Sequence, residues 1–172
     1  GGIYRIEVNH CNNIHNWTKG RDLKDFYALK ESNGGVLLSQ IHEIDYLTYL
    51  FGKHYPISAI YGNYKHYGEV EDSITILSNL EKEYCVPIII NLDFISTIPR
   101  RDITIYGLQK TQKFDLMPVN SEQWNDFFIN EMEAFLNLLE DKKDSRLATL
   151  EDGMSSLEYC MDIKNHFMKV NI

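Results

Sequence analysis

The run Tyr84–Ser96 limits the fold more than any other stretch of the chain. Val86, Ile88, Ile90, Leu92 and Phe94 alternate with Pro87, Ile89, Asn91, Asp93 and Ile95. That is the period of a strand with one wholly apolar face and one mixed face. Such a strand needs partners on its edges and an apolar layer against its face. The rest of the sequence offers the partners. Ile3–His10 sets Tyr4, Ile6 and Val8 against Arg5, Glu7 and Asn9, and Ile57–Lys65, Asp72–Leu80, Arg101–Tyr106 and Lys110–Leu116 read as further strands. Charged residues at Glu81-Lys82-Glu83 and a turn at Gly107 make hairpin links, which imply largely antiparallel pairing.

The apolar layer comes from helices. Asp22–Lys30 fits a short one, and Asn33–Gly52 fits a continuous helix of about four turns. In it Leu37, Ile41, Ile44, Leu47 and Phe51 form the buried stripe, and Gly52 stands where a left-handed cap is expected. Ser39, His42 and Tyr46 share another face, with Asp45 one turn after His42. Ser121–Leu139 carries an apolar stripe of Trp124, Phe127, Phe128, Met132, Phe135 and Leu139. Thr149 with Asp152 forms a capping box opening a last helix. The expected fold is a single α+β domain over residues 1–172, a mainly antiparallel open sheet with helices packed on one face.

Composition narrows the function. A net charge of −8 argues against a nucleic-acid partner. Three cysteines without CxxC spacing give no disulfide framework, and no apolar run has membrane-span length, so a cytoplasmic protein without a membrane partner is expected. Six histidines are dispersed without an HExxH, so no metal site is expected. Neither GxGxxG nor GxxxxGK[ST] occurs, so these residues hold no recognisable nucleotide-binding module.

Several residues admit two readings. His42 is either a core histidine satisfied by its neighbours or a group that passes a proton near neutral pH, with Asp45 orienting its ring. Glu43 is a poorer partner for it, about a quarter-turn away on an ideal helix. Arg101, after Arg100, is either a solvated strand end or a fork for a carboxylate or other anion. Trp17 is either packing or a stacking surface for a sugar ring, and Tyr27 is more often packing than chemistry. Ser39 has no strand–turn–helix elbow around it and is not a serine nucleophile.

The stretch Asn33-Gly34-Gly35-Val36-Leu37-Leu38-Ser39-Gln40-Ile41-His42-Glu43-Ile44-Asp45-Tyr46-Leu47, ending Leu50-Phe51-Gly52, resembles the signature that opens the C-terminal domain of Gfo/Idh/MocA oxidoreductases. Asn16-Trp17 and Asp25-Phe26-Tyr27-Ala28 upstream fit the same domain in order. So do Asp72-Ser73, the Arg101–Gly107 strand, Asn130–Leu139 and Leu150-Glu151-Asp152-Gly153 downstream.

The resemblance implies a C-terminal substrate and oligomerisation domain whose N-terminal Rossmann domain is absent from this chain. The parent would be an NAD(P)-dependent dehydrogenase acting on a hydroxyl of a sugar, nucleotide sugar or cyclitol. His42 takes the position of the catalytic histidine, Asp45 that of the acid one turn on, and Ser39 replaces an aspartate frequent in the family. Trp17, Tyr27, Ser39 and Arg101 are the expected substrate contacts. NAD or NADP would bind the full-length parent and not this fragment alone, which is expected to be inactive. A homo-oligomer through the sheet face is also expected. The competing reading is a non-catalytic oligomerisation module or a truncated remnant without activity.

Overall fold

The computed structural model describes residues 2–18, 22–23, 26–31, 34–64, 68–82, 84–118, 121–140, 142, 144 and 146–168. Asp25 and Asn33, part of the resemblance, and Glu83 of the hairpin link lie outside them. Six strands form one sheet: β1 (Ile3–Asn13), β2 (His54–Gly62), β3 (Ser73–Leu80), β4 (Val86–Asp93), β5 (Ile95–Gly107) and β6 (Thr111–Asp115). Their order across the sheet is β2-β3-β4-β1-β5-β6. Every neighbouring pair is antiparallel except β1 and β4, which run parallel. The expected α+β class holds. The parallel pair was not expected, because hairpin signals report only strands that follow one another, and β1 meets β4 across a long stretch of chain.

Register follows burial. Val86, Ile88, Ile90 and Leu92 of β4 are buried on one face, beside Ile6 and Val8 of β1 and Ile103 of β5. A slip of one residue would turn those four side chains outward, at roughly 2 kcal/mol each, and bring Asn91 and Asp93 into the core. The opposite face of the sheet is mixed, with Ile60, Leu77 and Ile89 beside a polar row. Thr75 donates to Asn91, Asn91 to Asn9, and Asn9 to Asp102, a ladder of side-chain hydrogen bonds crossing four strands. Arg100 and Lys113 pair with Asp102 at its end.

Three helices lie on the apolar face: α2 (Val36–Ser39), α3 (His42–Phe51) and α5 (Leu150–His166). The single helix expected over Asn33–Gly52 is broken between α2 and α3. Gln40 is fully buried and its Nε2 donates to the Asp93 carbonyl at 3.3 Å, which anchors the chain to the end of β4. Its φ of −111° and ψ of 27° leave the helical region, and a new helix starts at His42. Gly52 closes α3 at a φ of +95°, as its position foretold.

Two other expectations shift. The first strand was expected over Ile3–His10, but β1 runs on to Asn13 and a one-turn helix, α1 (His15–Thr18), follows. Of the helix expected over Asp22–Lys30, the described residues hold only a 3-10 turn at Tyr27–Leu29. The helix α4 (Ser121–Leu139) forms over its expected range, yet among its described side chains only Ala134 is buried, and its stripe from Trp124 to Leu139 is exposed. No described helix is long and apolar enough to cross a membrane.

Candidate active site

The break at Gln40 decides where the chemistry lies. It places the first turn of α3, with His42 and Glu43, over the strands β1 and β5. On β1 the inward parity runs Ile6, Val8, His10, and on β5 it runs Ile105, Ile103, Arg101, with His10 opposite Arg101 in the register. Two polar residues thus end two apolar rows, and Glu43 descends between them.

Glu43 is wholly buried and is the hub. Its Oε1 lies 2.7 Å from Arg101 Nη2, 2.8 Å from Arg101 Nε, 3.0 Å from His10 Nδ1 and 3.1 Å from His42 Nε2. His10 Nδ1 and His42 Nε2 are 3.3 Å apart. Burial alone would raise the carboxyl's affinity for a proton. Hydrogen bonds from His10 and His42 and the Arg101 charge outweigh it, and hold Glu43 ionised well below the usual carboxylate range. A buried charge survives only with such partners. Tyr46, one turn along α3, is pushed the other way. Its burial, with the Glu43 charge beside it, keeps the phenol protonated far above its ordinary value.

His42 is the exposed member of the cluster, its side chain 46% accessible, whereas His10 is buried. Aromatic rings lead outward from it: His42 to His10 at 5.2 Å between centroids, His10 to Trp17 at 6.4 Å, Trp17 to Phe26 at 6.5 Å and Phe26 to Tyr27 at 4.8 Å. Trp17 also meets Phe94 edge-on at 5.3 Å, so it is anchored in the core. Tyr27 is exposed.

The nominated residues therefore divide. His42 and Arg101 meet at Glu43, whereas Trp17 and Tyr27 touch neither and, among the described residues, connect to the cluster only through the rings of His10 and Phe26. Arg101 spends both Nε and Nη2 on an internal carboxylate, where the sequence left open an external anion. Ser39 ends α2, half-buried, just before the break. Asp45 is not beside the His42 ring nitrogens' partners. Its Oδ1 accepts from Ser156 Oγ of α5 at 3.1 Å, and it lines a cavity of about 230 Å³ with Tyr46, Tyr49 and Arg146. Glu43 holds the place at the histidine that Asp45 was expected to hold.

His10 escaped the sequence reading and Glu43 was ranked there as the poorer partner of His42, yet each left a signal. His10 continues the inward parity of Ile6 and Val8, where a polar side chain is the exception. Glu43 is reached by the helix restart, which rotates it from the quarter-turn offset of an unbroken helix into the core.

No family model matches the sequence, and no curated protein matches it. Solved structures do. The scyllo-inositol dehydrogenase of Lactobacillus casei, solved with NAD(H) and scyllo-inositol, matches 98% of this chain with a TM-score of 0.74 at 18% identity. The WlbA dehydrogenase of Bordetella pertussis, solved with NADH and UDP-GlcNAcA, matches 96% with a TM-score of 0.69 at 16% identity. The myo-inositol 2-dehydrogenase of Lactobacillus plantarum matches 96% with a TM-score of 0.69 at 16% identity. The matches cover 55%, 54% and 54% of those chains, so this chain spans about half their length. These likenesses show the fold: the chain has the α+β fold of the matching half of these dehydrogenases, the fold that the Gfo/Idh/MocA resemblance implied.

Proposed function

We propose that this chain is the substrate-binding and oligomerisation domain of an NAD(P)-dependent dehydrogenase that acts on a hydroxyl of a sugar, nucleotide sugar or cyclitol. One observation carries the proposal: His42 stands half-exposed on a buried, ionised carboxylate, in a fold shared with dehydrogenases of that kind. Neighbours at this identity support the fold, and the site's geometry supports the chemistry.

With Nε2–H donating to Glu43 Oε1, Nδ1 of His42 is the ring's remaining acceptor. It takes the proton of the substrate hydroxyl as the carbinol carbon becomes a carbonyl, and returns it in the reverse direction. The nicotinamide, when bound, supplies the hydride acceptor. No residue of this chain is assigned to holding it, and it belongs to the remaining half of the parent. Ser39 has no charge with which to stabilise an imidazolium. Glu43 at 3.1 Å has one, and Arg101 and His10 fix it in place. Trp17, beside His10, and the exposed Tyr27 are the aromatic rings assigned to a sugar or cyclitol ring in this reading.

Assembly into a homo-oligomer through the open face of the sheet completes the proposal. That face sets the apolar Ile60, Leu77 and Ile89 beside a polar ladder, so two copies would meet through both apolar contact and hydrogen bonds. Sedimentation tests this part, and a strict monomer at high concentration would overturn it.

The test of the whole is the full-length parent with His42→Ala. Loss of a positioned acid–base group lowers kcat by about 10²–10⁴-fold. Unchanged turnover on its true substrate would remove His42 from the reaction.

A further inference from the structure

His10 Nδ1, His42 Nε2 and Glu43 Oε1 form a triangle with sides of 3.0, 3.1 and 3.3 Å. Hydrogen bonding within the protein serves this triangle poorly. Glu43 Oε1 faces four nitrogens, two from Arg101 and one from each histidine. A carboxylate oxygen has about two lone-pair sites. Glu43 Oε2, equally buried, has no donor at full hydrogen-bonding geometry among the described residues, although the Tyr46 phenol interacts with the same carboxylate. If both histidines donate to Oε1, their N–H dipoles lie side by side at the 3.3 Å edge. One oxygen is crowded and the other is not.

We propose that His10 Nδ1, His42 Nε2 and the Glu43 carboxylate bind a divalent first-row metal ion of the zinc class. An ion about 2.0–2.1 Å from each atom makes edges of roughly 2.9 Å at octahedral angles and roughly 3.3 Å at tetrahedral ones. The observed sides span that interval. Two imidazoles and one carboxylate suit zinc, cobalt or ferrous iron, and do not suit calcium or magnesium, which take oxygen ligands. Both nitrogens would turn lone pairs toward the ion, which removes the dipole clash. Arg101, already against the carboxylate, would supply the outer hydrogen-bond support that ligating carboxylates have. The exposed side of His42 leaves coordination positions open to solvent. Wide sequence spacing hid the cluster: His10 and His42 are 32 residues apart on different elements. The positive Arg101 beside the ion weakens its hold, so the site is one that fills and empties with the ion's concentration.

A bound ion takes the Nε2 lone pair of His42 and leaves the ring proton on Nδ1, so the ion-filled site and the proton-accepting His42 of the dehydrogenase reading are alternative states; the readout here is binding by this chain without turnover, which is scored separately from that reading. The full chain is titrated calorimetrically with Zn²⁺ at about pH 7.5, where imidazole is free to ligate. Co²⁺ is titrated in parallel and followed by its visible absorption. One ion per chain is expected. His10→Ala and His42→Ala should each weaken binding by at least about 100-fold, beyond the loss an outer-shell change causes. His166→Ala, a change at an exposed histidine on α5, should leave it unchanged. His42 is half-exposed, so His42→Ala remains informative if His10→Ala fails to fold, and circular dichroism tells the two apart. Absence of saturable binding to the wild-type chain would overturn the proposal. So would binding that survives His42→Ala, which would locate the ion elsewhere.

Discussion

Arg101 reaches from β5 to set Nη2 2.7 Å and Nε 2.8 Å from Glu43 Oε1, tying the first turn of α3 to the strand pair beneath it. Glu43 has no access to water, so its charge is tolerated through the hydrogen bonds of His10 and His42 together with the guanidinium. Removing one partner of a buried pair leaves the other uncompensated and costs about 3–5 kcal/mol. The two histidines remain near the carboxylate, so Arg101→Met should destabilise by about 3 kcal/mol, the low end of that range. Urea unfolding at neutral pH checks it, and a change below about 1 kcal/mol would mean that the histidines carry the pair alone.

The same carboxylate predicts acid sensitivity. Glu43's folded value lies below its ordinary value of 4.5. A depressed acid contributes stability that is present above the unfolded value and is lost as pH falls toward the folded one. Glu43→Gln removes that contribution. The stability gap between wild type and Glu43→Gln should therefore be constant above about pH 5 and shrink as pH drops toward about 3. A gap that stays constant through the acid range would contradict the ionised buried carboxylate.

His54 acts in a different window. It begins β2, is buried, and packs against Tyr159 of α5 with ring centroids 4.7 Å apart. Burial lowers it from 6.5 to about 4, and a backbone interaction with Ile44 offsets only part of this. The unfolded chain therefore binds a proton between those values while the folded chain does not. Stability is fully present above 6.5 and declines as pH falls toward about 4, by about 3 kcal/mol in total. His54→Phe keeps a ring against Tyr159 and cannot be protonated. Its urea midpoint should fall less than the wild type's between about pH 7 and pH 5. Parallel curves for the two proteins would show that His54 titrates normally.

These residues also show what a sequence can and cannot disclose. Val86, Ile88, Ile90 and Leu92 announced β4 because a half-buried strand must alternate, and their burial follows that pattern. The Thr149–Asp152 box and the Gly52 stop are local devices, legible for the same reason. The β1–β4 parallel pair and the meeting of His10, Glu43 and Arg101 are long-range facts set by tertiary register. The orientation of Glu43 hung on one buried amide. Gln40 breaks the helix by bonding to Asp93, and no periodicity in the helix itself encodes a partner 53 residues away. An ideal-helix projection accordingly favoured Asp45, which Ser156 holds on another side of α3. The α4 stripe was legible as amphipathic, but a stripe does not say which surface covers it.

The capping box yields a direct stability prediction. Thr149 Oγ1 accepts from the Asp152 backbone N–H at 3.2 Å, and Asp152 Oδ2 accepts from the Thr149 N–H at 2.8 Å. Two donors otherwise orphaned at the start of α5 are thereby satisfied. Thr149→Ala should cost about 1 kcal/mol, and Thr149→Ser much less, since the hydroxyl is what caps. Thermal unfolding of the three proteins measures the order. Equal losses for Ala and Ser would point to the methyl group in place of the cap.

Gly35 is required twice over where α2 begins. Its φ of +97° is a conformation that L side chains rarely adopt. A Cβ there would also stand 2.1 Å from Glu71 Oε1. Glu71 has little room to retreat, for it is buried and receives the first turn of α2: Val36 N–H donates to its carbonyl at 3.0 Å and Leu37 N–H to Oε1 at 3.3 Å. Gly35→Ala therefore sets backbone strain against the displacement of a buried acid, and should destabilise by at least about 2 kcal/mol. Pairing it with Glu71→Ala separates the causes by a double-mutant cycle. If the clash dominates, Gly35→Ala costs less in the Glu71→Ala background than in the wild type. Strain of the backbone alone would give the same cost in both.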